Sequence, residues 1–444
     1  MPSKRRPLLK AIAGGSAMGL LAGCTEETDQ TTQNPNSTPI ETATTFTDDP
    51  PRTDGTDTCD DDTVEPSSGS EQFDLWVALT DGEANLLRDA NQLFANNYGH
   101  SVALSNIPNS NYEAKIQSAI PSGEGPHMFL WAHDFAGSYW ESDFLADKRD
   151  QVRVDPCQYT DQAWQAAQYD GHLVGLPFAA ESVALIYNKS IVDEPPETLP
   201  EMTAIMDEHH DPENGSFGLG YPINPYYVSP FAQAFGKRIY NPADDELHLT
   251  SDAVKQGLRV VLDDLKPYMP RDPGGGTQKS IFANGNAAFT VDGPWQLAAF
   301  EDTDFEVGVT TLPTLPDGGL PRPFTGIKLL FFAKRMREQT PSTQAAREFA
   351  EWYTTNVRRV LTLANNGGFV PVNSQVADDD RLPSKVQSYA RQIEDGYLMP
   401  STPKMKQVWG PFGDAVTQAF NDNGNLDDLL STAEENIRNN WAET

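Results

Sequence analysis

The stretch "GPHMFLWAHDF", residues 125–135, begins like a buried strand and ends on an aromatic ring, an imidazole and a carboxylate. The apolar run His127–Trp131 follows a Gly-Pro pair and predicts a strand. Metal binding, acid–base catalysis, ligand binding and simple packing would each explain why Trp131, His133 and Asp134 lie where this strand ends. The elements on either side help to distinguish these roles.

The strand at residues 127–131 is the third in an alternating series of strands and helices. The series consists of strand Phe73–Leu79, helix Glu83–Tyr98, strand Ser101–Leu104, helix Tyr112–Ile120 and strand His127–Trp131. Such alternation predicts a mostly parallel sheet covered by helices. Functional side chains are then expected at the carboxyl ends of the strands.

Two extended runs, residues 175–178 and 182–188, then follow each other without a helix between them. This pattern favours a chain that crosses from one lobe to another. Further strands are predicted at 287–291, 305–310 and 328–333, and further helices at 252–265, 279–284, 294–300, 343–355, 357–364, 383–395, 413–420 and 426–441. The length of the part from residue 73 onward favours two domains over one core.

Residues 1–24 have the pattern of an export signal. A basic start with paired arginines precedes the apolar run Ala11–Ala22, which is too short to span a bilayer. The paired arginines resemble a twin-arginine signal, and Leu21–Cys24 resembles a lipobox, in which Cys24 becomes lipidated. We therefore expect a lipid anchor at Cys24 that attaches the protein to the extracellular face of the cell membrane.

Residues 25–72 are rich in Thr, Ser, Pro and Asp, and they contain one basic residue, Arg52. A segment with so few large apolar side chains cannot offset its chain entropy by burial, so we expect a disordered acidic tether. Cys59 in this segment and Cys157 beyond it have two alternatives, a disulfide outside the cell or two free thiols.

The chain contains 64 acidic and 32 basic residues and has a net charge of −32. This balance argues against nucleic acid or an anionic lipid surface as a partner. Because salt screens repulsion between like charges, the acidity suggests a halophilic source.

Aromatic and acidic side chains recur at the ends of predicted elements. The aromatic residues near Gly or Pro are Trp131, Tyr226, Trp295 and Trp409. The carboxylates beside apolar strands are Asp134, Glu181 and Asp292. This combination is typical of a sugar site, because the C–H faces of pyranoses stack on aromatic rings while sugar hydroxyls donate to carboxylates. Such a site requires neither a cofactor nor a nucleophile.

Other chemical motifs give weaker signals. The His-His-Asp cluster at residues 209–211 lacks further ligands, so we predict no metal site. Gly274–Thr277 lacks the lysine of a phosphate-binding loop, and the chain has no Gly-x-Ser-x-Gly motif. We expect His133 to have a turn or packing role, because its side chain should diverge from that of the neighbouring Asp134.

A set of motifs extends through most of residues 73–441. The motifs are Gly123–Pro126, Phe129–Asp134, Leu176–Glu181, Leu185–Lys189, Asp292–Trp295, Gly308–Thr314, Met399–Pro400 and Pro403–Met405. In this order they resemble the extracellular solute-binding proteins of ABC importers, and most of all the maltose and maltodextrin group. The resemblance implies an α/β, two-lobed fold of the type II periplasmic-binding class, with mostly parallel sheets flanked by helices and joined by hinge strands. The N-terminal lobe would comprise 73–180 with 330–378, and the C-terminal lobe 181–329 with 379–444.

The same resemblance implies a set of sugar contacts. These are Trp131, Asp134, Glu181, Tyr226, Trp295, Trp409 and, more peripherally, Glu113. The departures from the maltose receptors lie at hydroxyl-binding positions: Thr80–Gly82 lacks a Lys, Phe135 replaces an Arg, Asn224 replaces a Glu, and Gly410 and Gly413 replace a Tyr and an Arg. Maltose is therefore one candidate ligand among maltodextrins, trehalose and other oligosaccharides.

The sequence thus predicts a monomeric sugar receptor that closes two lobes on its ligand and delivers it to an ABC permease. The resemblance implies no catalytic residue, metal or cofactor. Two alternatives remain, an exported glycoside hydrolase and a receptor for a solute other than a sugar.

Overall fold

The computed structural model describes residues 64–300 and 303–443. The strands are β1 (Gln72–Val77), β2 (Ser101–Asn106), β3 (Met128–Ala132), β4 (Gln168–Tyr169), β5 (His172–Leu173), β6 (Gly175–Glu181), β7 (Ala184–Asn188), β8 (Phe217–Gly220), β9 (Tyr240–Asn241), β10 (Glu246–Leu247), β11 (Ala287–Asp292), β12 (Val307–Thr310), β13 (Phe324–Phe332) and β14 (Tyr397–Leu398). The helices are α1 (Asp81–Tyr98), α2 (Asn109–Ala119), α3 (Ala136–Glu141), α4 (Asp161–Ala166), α5 (Leu199–His209), α6 (Pro225–Ala232), α7 (Asp252–Arg259), α8 (Gly275–Ala283), α9 (Leu297–Phe300), α10 (Pro341–Thr355), α11 (Val357–Gly367), α12 (Ser384–Asp395), α13 (Pro403–Phe420) and α14 (Leu426–Glu443). In the described part of the chain, no helix has the length and apolar character needed to cross a membrane.

The predicted strand–helix series at the start of the fold is confirmed. β1 pairs in parallel with β2 on one side and with β3 on the other, and α1 and α2 connect them. Helix α1 begins with a capping box between Thr80 and Glu83, which satisfies backbone groups that the first turn leaves unpaired. It ends at Gly99, whose φ of 82° is a left-handed conformation that favours glycine.

Both larger sheets contain parallel and antiparallel pairs. The expectation of mostly parallel strands therefore holds for β1, β2 and β3 but not for the fold as a whole. In the six-stranded sheet, β13 lies between β3 and β6 and runs antiparallel to both. In the four-stranded sheet, of order β12-β7-β11-β8, only the β11–β8 pair is parallel. Each antiparallel pair in these two sheets includes β7 or β13, the strands by which the chain enters one sheet from the other.

The predicted crossing between two lobes is confirmed. β6 belongs to the six-stranded sheet and β7 to the four-stranded sheet, with two residues between them. The second crossing lies at the start of β13, where Phe324 packs in one core and Ile327 in the other. The Ser182 hydroxyl donates to the Phe324 carbonyl at 3.0 Å and so joins the two crossings.

Two clusters of buried apolar side chains form the cores of the molecule. We call the six-stranded sheet with α1–α4, α10 and α11 the first lobe, and the four-stranded sheet with α5–α7, α13 and α14 the second lobe. The first core extends to one face of the four-stranded sheet, and the second core covers the other face. Ile186 and Leu185 of β7 therefore point into different cores, as strand alternation requires. The residue limits predicted for the lobes remain a prediction.

Helix α13 is longer than predicted. The prediction began this helix at Gly413, because Gly410 and Pro411 would normally interrupt one. The helix instead runs through both, from residue 403 to 420. Its buried apolar side chains pack in the second core, and this tertiary packing outweighs the weak helix propensity of the two residues.

The C-terminal end of the predicted tether is bound to the first lobe. Val64 packs against the first core, and both N and Oγ of Ser67 donate to Glu348 Oε2 at 2.7 Å. Strand β1 already begins at Gln72. A buried carboxylate of α10 therefore binds the last part of the predicted tether, while its limit at residue 72 remains a prediction.

Residues 1–63 lie outside the described residues. The export signal at 1–24, the lipidated Cys24 and most of the tether therefore remain predictions. Cys157 is disulfide-bonded, so the free-thiol alternative is wrong for this residue. The pairing of Cys157 with Cys59 remains a prediction.

Candidate functional site

The first group of predicted site residues lies where β3 and β6 end. These two strands flank β13 and run in the same direction, so their carboxyl ends lie at one edge of the sheet. Trp131 is near the end of β3, Asp134 lies in the 3₁₀ turn that follows it, and Glu181 is the last residue of β6. This placement agrees with the expectation that functional groups follow the carboxyl ends of strands.

The second group lies at the corresponding edge of the four-stranded sheet, where the parallel strands β8 and β11 end. Tyr226 is placed by the first turn of α6, which Asn224 caps by accepting from two backbone N–H groups at 3.0 and 3.1 Å. Trp295 lies in a 3₁₀ turn just after β11. Trp409 comes from α13 of the same lobe.

The structure brings all seven predicted site residues to one cavity of about 740 Å³ between the lobes. This volume is within the range of roughly 300–1,000 Å³ that small-molecule sites occupy. Trp131, Asp134, Glu181 and Glu113 come from the first lobe, whereas the second lobe contributes Tyr226, Trp295 and Trp409. The geometry therefore groups these residues as predicted, while their role as sugar contacts remains a proposal.

Aromatic rings line the cavity from both lobes. The Tyr226 and Trp295 rings lie 6.2 Å apart, and Trp131 packs against Tyr112 with ring centroids 4.8 Å apart. Three buried polar atoms of residues that line the cavity have no hydrogen-bond partner among the described residues: Trp131 Nε1, Tyr226 Oη and Asp134 Oδ1. Burying such groups unpaired is unfavourable, so hydrogen bonds to a polar ligand would stabilise them.

The electrostatics of Asp134 are altered by its surroundings. Its side chain is almost fully buried. Burial raises the pKa of Asp134 to about 7, and the negative charge of Glu181 contributes in the same direction. The raised pKa of this carboxyl group could not be predicted from the sequence, because it arises from burial and from a residue 47 positions away.

A lysine from the central strand accompanies Glu181. Lys328 Nζ lies 3.3 Å from Glu181 Oε2, and both side chains are mostly buried. The ammonium group of Lys328 is thus placed beside the carboxylate of Glu181, and both residues line the cavity.

Another ion pair connects the two lobes. Lys406 Nζ of α13 lies 2.6 Å from Glu113 Oε1 of α2. The same ammonium group is 5.6 Å from the centre of the Phe135 ring, within the range of a cation–π contact. Phe135 therefore lies beside a cation that the opposite lobe provides.

The third carboxylate noted in the sequence, Asp292, does not line this cavity. It is fully buried, where it accepts from Tyr227 Oη at 2.7 Å and forms an ion pair with Lys279 at 3.1 Å. Burial raises its pKa despite the nearby lysine. Asp292 thus holds the end of β11 in place beneath Trp295, and it is not available to a ligand.

His133 has the packing role that the sequence analysis expected. Its Nδ1 accepts from Ile327 N–H at 3.1 Å, so Nε2 carries the proton and donates to the Met399 carbonyl at 2.9 Å. Burial lowers the pKa of His133 to about 4. The neutral imidazole therefore joins the end of β3 to β13 and to the segment before α13.

Replacing His133 with alanine is expected to lower the free energy of unfolding by about 1–3 kcal/mol, because a buried N–H and a buried carbonyl lose their partner. Denaturant unfolding measures this change. His172→Ala is the matched control, because His172 pairs with Asp147 at the surface and should change stability by less than about 1 kcal/mol. Equal stability of His133→Ala and the unchanged protein would contradict the assigned role.

No group of three His, Cys, Asp or Glu side chains among the described residues is arranged to hold a metal ion. In the cluster at 209–211, His210 packs its ring against Phe217 and Tyr268.

Three charged residues of the cavity escaped the sequence analysis: Glu83, Lys328 and Lys406. Lys328 could have been found, because it is the one charge in the apolar run of β13. Lys406 precedes Trp409 by three residues, a spacing that places both on one helix face, but the predicted helix did not extend to them. Glu83 was predicted only as the first residue of the helix Glu83–Tyr98, with no role in the site.

Two lobes with separate sheets, joined by crossing strands and enclosing a cavity lined from both sides, define the type II periplasmic-binding class of protein. The chain belongs to the bacterial extracellular solute-binding protein family, whose profile matches residues 90–391.

Relatives and solved structures agree with this assignment. The maltotriose-binding protein of Pyrococcus abyssi (strain GE5 / Orsay) is 33% identical over 387 residues, which cover 85% of this chain and 84% of that protein. A cyclo/maltodextrin-binding protein solved with maltotetraose has a TM-score of 0.70 and 25% identity, covering 83% of this chain and 97% of that chain. The Thermus thermophilus maltotriose binding protein, solved with maltotriose, has a TM-score of 0.74 at 24% identity, covering 83% of this chain and 100% of that chain.

Proposed function

We propose that the protein is an extracellular sugar receptor that binds an oligosaccharide between its lobes and delivers it to an ABC permease. The observation that carries the proposal is the cavity itself, in which aromatic rings from both lobes surround the unpaired Asp134 Oδ1. Aromatic rings stack on the C–H faces of a sugar, and the carboxylate accepts hydrogen bonds from the sugar hydroxyls. The names of the relatives support maltodextrins as the ligand class.

The seven predicted residues are proposed as the sugar contacts, with Trp131, Tyr226, Trp295 and Trp409 as stacking surfaces. Asp134, Glu181 and Glu113 are proposed as hydroxyl acceptors. A lipid anchor at Cys24 and twin-arginine export are proposed from the sequence of residues 1–24. We also propose a monomer from a halophilic source, since the net charge of −32 is best tolerated where salt screens it.

Calorimetric titration of the purified protein with maltotriose, maltotetraose, maltose and trehalose, in buffers of high salt concentration, tests the proposal. We expect saturable binding of at least one of these sugars with a stoichiometry of one. The absence of binding by every sugar would favour a receptor for another kind of solute.

A glycoside hydrolase is the second candidate function, because one observation favours it. Asp134, with a pKa of about 7, lines the same cavity as Glu181, and hydrolases use one protonated and one ionised carboxyl group. Prolonged incubation with maltotetraose distinguishes the two functions. We expect the sugar to be recovered intact, whereas products in large molar excess over protein would reject the receptor proposal.

A further inference from the structure

Strand β13 contains one charged residue. Its nine residues, Phe324–Phe332, are buried except at Lys328, which is half-buried. The strand lies between β3 and β6, and the cross-strand neighbours of Lys328 are Ala132 and Ala179. The small alanine side chain on each side leaves room for a long side chain above the sheet. A lysine at such a central position is rarely found without a partner or a function.

The pairing of β13 with β6 is irregular beside this residue. Lys328 pairs with Ala179 and Leu329 pairs with Pro177, so the extra residue of the bulge is Phe178 of β6. Bulges are frequent beside functional sites. Here Lys328 points to the cavity, which it lines together with Glu181 and Glu83.

The surroundings keep Lys328 charged. Burial alone would lower its pKa, but the nearby charges of Glu181 and Glu83 outweigh this effect and raise it. Glu83 is itself engaged, because its Oε2 accepts from Thr80 N and Oγ1 at 2.9 Å. An ion pair in such a place is weak evidence of a stabilising role, since apolar side chains of similar volume often stabilise a core as well or better.

We propose that Lys328 binds the ligand directly and is a specificity-determining residue. Its ammonium group, held in place by Glu181, donates hydrogen bonds to hydroxyl oxygens of a neutral sugar at the inner end of the cavity. This inference rests on the proposed function as a sugar receptor. It adds a basic contact to the set predicted through the family resemblance, which contains no lysine. The lysine that the resemblance would place near Thr80–Gly82 is absent from this chain.

The charges around the cavity define the ligand class more closely. Four carboxylates and two lysines line it, so a ligand with its own carboxylate would be repelled. A vicinal diol fits the pair of Lys328 and Glu181, because one hydroxyl oxygen accepts from the ammonium while its neighbour donates to the carboxylate. The predicted ligand is therefore a neutral oligosaccharide with adjacent free hydroxyls, and not a uronic acid.

The test compares Lys328→Met with Lys328→Arg in calorimetric titrations of the full protein with the sugar that the unchanged protein binds most tightly. Met keeps most of the volume and removes the donor, so affinity should fall about 10- to 100-fold. Arg keeps charge and donors and should retain more affinity than Met. Lys334→Met is the matched control, because Lys334 pairs with Asp143 at the surface, and it should bind as the unchanged protein does.

A structural role and a binding role give different results with deoxygenated ligands. If Lys328 contacts a hydroxyl, at least one monodeoxy analogue of the sugar that binds most tightly should bind less tightly to the unchanged protein and show no such penalty with Lys328→Met. Thermal unfolding without ligand reports separately on any loss of stability. Equal affinity of Lys328→Met and the unchanged protein, or identical deoxy-sugar penalties in both, would overturn the proposal.

The outcome also separates this inference from the proposed function. Failure of the unchanged protein to bind any sugar would reject the receptor proposal and this inference with it. Sugar binding by the unchanged protein that Lys328→Met leaves intact would reject the role of Lys328 alone.

Discussion

Replacement of both Trp295 and Trp409 by alanine is expected to reduce sugar affinity by at least about 30-fold. Each single replacement should weaken binding by about 1–3 kcal/mol, because the ligand loses a large, rigid contact surface. The two indoles come from different elements, the turn after β11 and helix α13, and both are half-exposed in the cavity. Their removal therefore affects the ligand more than the apolar core.

Calorimetric titration is the suitable measurement, because removing an indole would also change the intrinsic fluorescence. Trp140→Ala provides the matched control. Trp140 stacks on His172 with ring centroids 4.2 Å apart, and its ring does not line the cavity described above. If the double variant binds sugar as tightly as Trp140→Ala does, Trp295 and Trp409 do not belong to the site.

Asp134→Asn is expected to change how stability depends on pH. A carboxyl group whose pKa rises on folding binds its proton more tightly in the native state. Its contribution is fully present below the ordinary pKa of Asp and is lost as the pH rises to about 7, with a slope of about 1.4 kcal/mol per pH unit. The unliganded Asn variant, which does not titrate, should therefore be more stable than the unchanged protein at pH 8.

His133 also makes the free energy of unfolding depend on pH, but with the opposite sign, because burial lowers its pKa to about 4. The pH profile of one protein would mix both groups, whereas the difference between Asp134→Asn and the unchanged protein isolates Asp134. Denaturant unfolding at several values between pH 5 and 8 gives this difference. Parallel profiles would show that the pKa of Asp134 is not raised. Sugar affinity should fall in the Asn variant, which loses a charged acceptor.

Local patterns made much of the fold predictable. The alternation of β1, α1, β2, α2 and β3 was evident from apolar periodicity, because each of these elements buries one regular face. The mixed sheet direction was not predictable from the same pattern, since a strand has the same periodicity whichever way it runs. Helix α13 was shortened at Gly410 and Pro411 because propensity ignores the tertiary contacts that stabilise the helix.

The candidate site was predictable where residues at strand ends follow a general rule of α/β folds, as Trp131 and Glu181 do. The aromatic residues Tyr226, Trp295 and Trp409 were recognised by their positions beside Gly or Pro, and the resemblance to sugar receptors added Glu113. Lys328 was missed because its strand was predicted from its apolar residues alone. The pKa of Asp134 could not be predicted, because it depends on burial and on Glu181, which only the fold brings near.

The attachment of residues 64–69 to the first lobe has a mechanical consequence. The Ser67 contacts with Glu348, and the bond from Gly69 N–H to the Tyr98 carbonyl at 2.9 Å, all end on this lobe. A pull applied at Val64 is therefore transmitted to α10 and α1. It does not load the crossings at Ser182 and Phe324, so the chain segments that join the two lobes bear none of this tension.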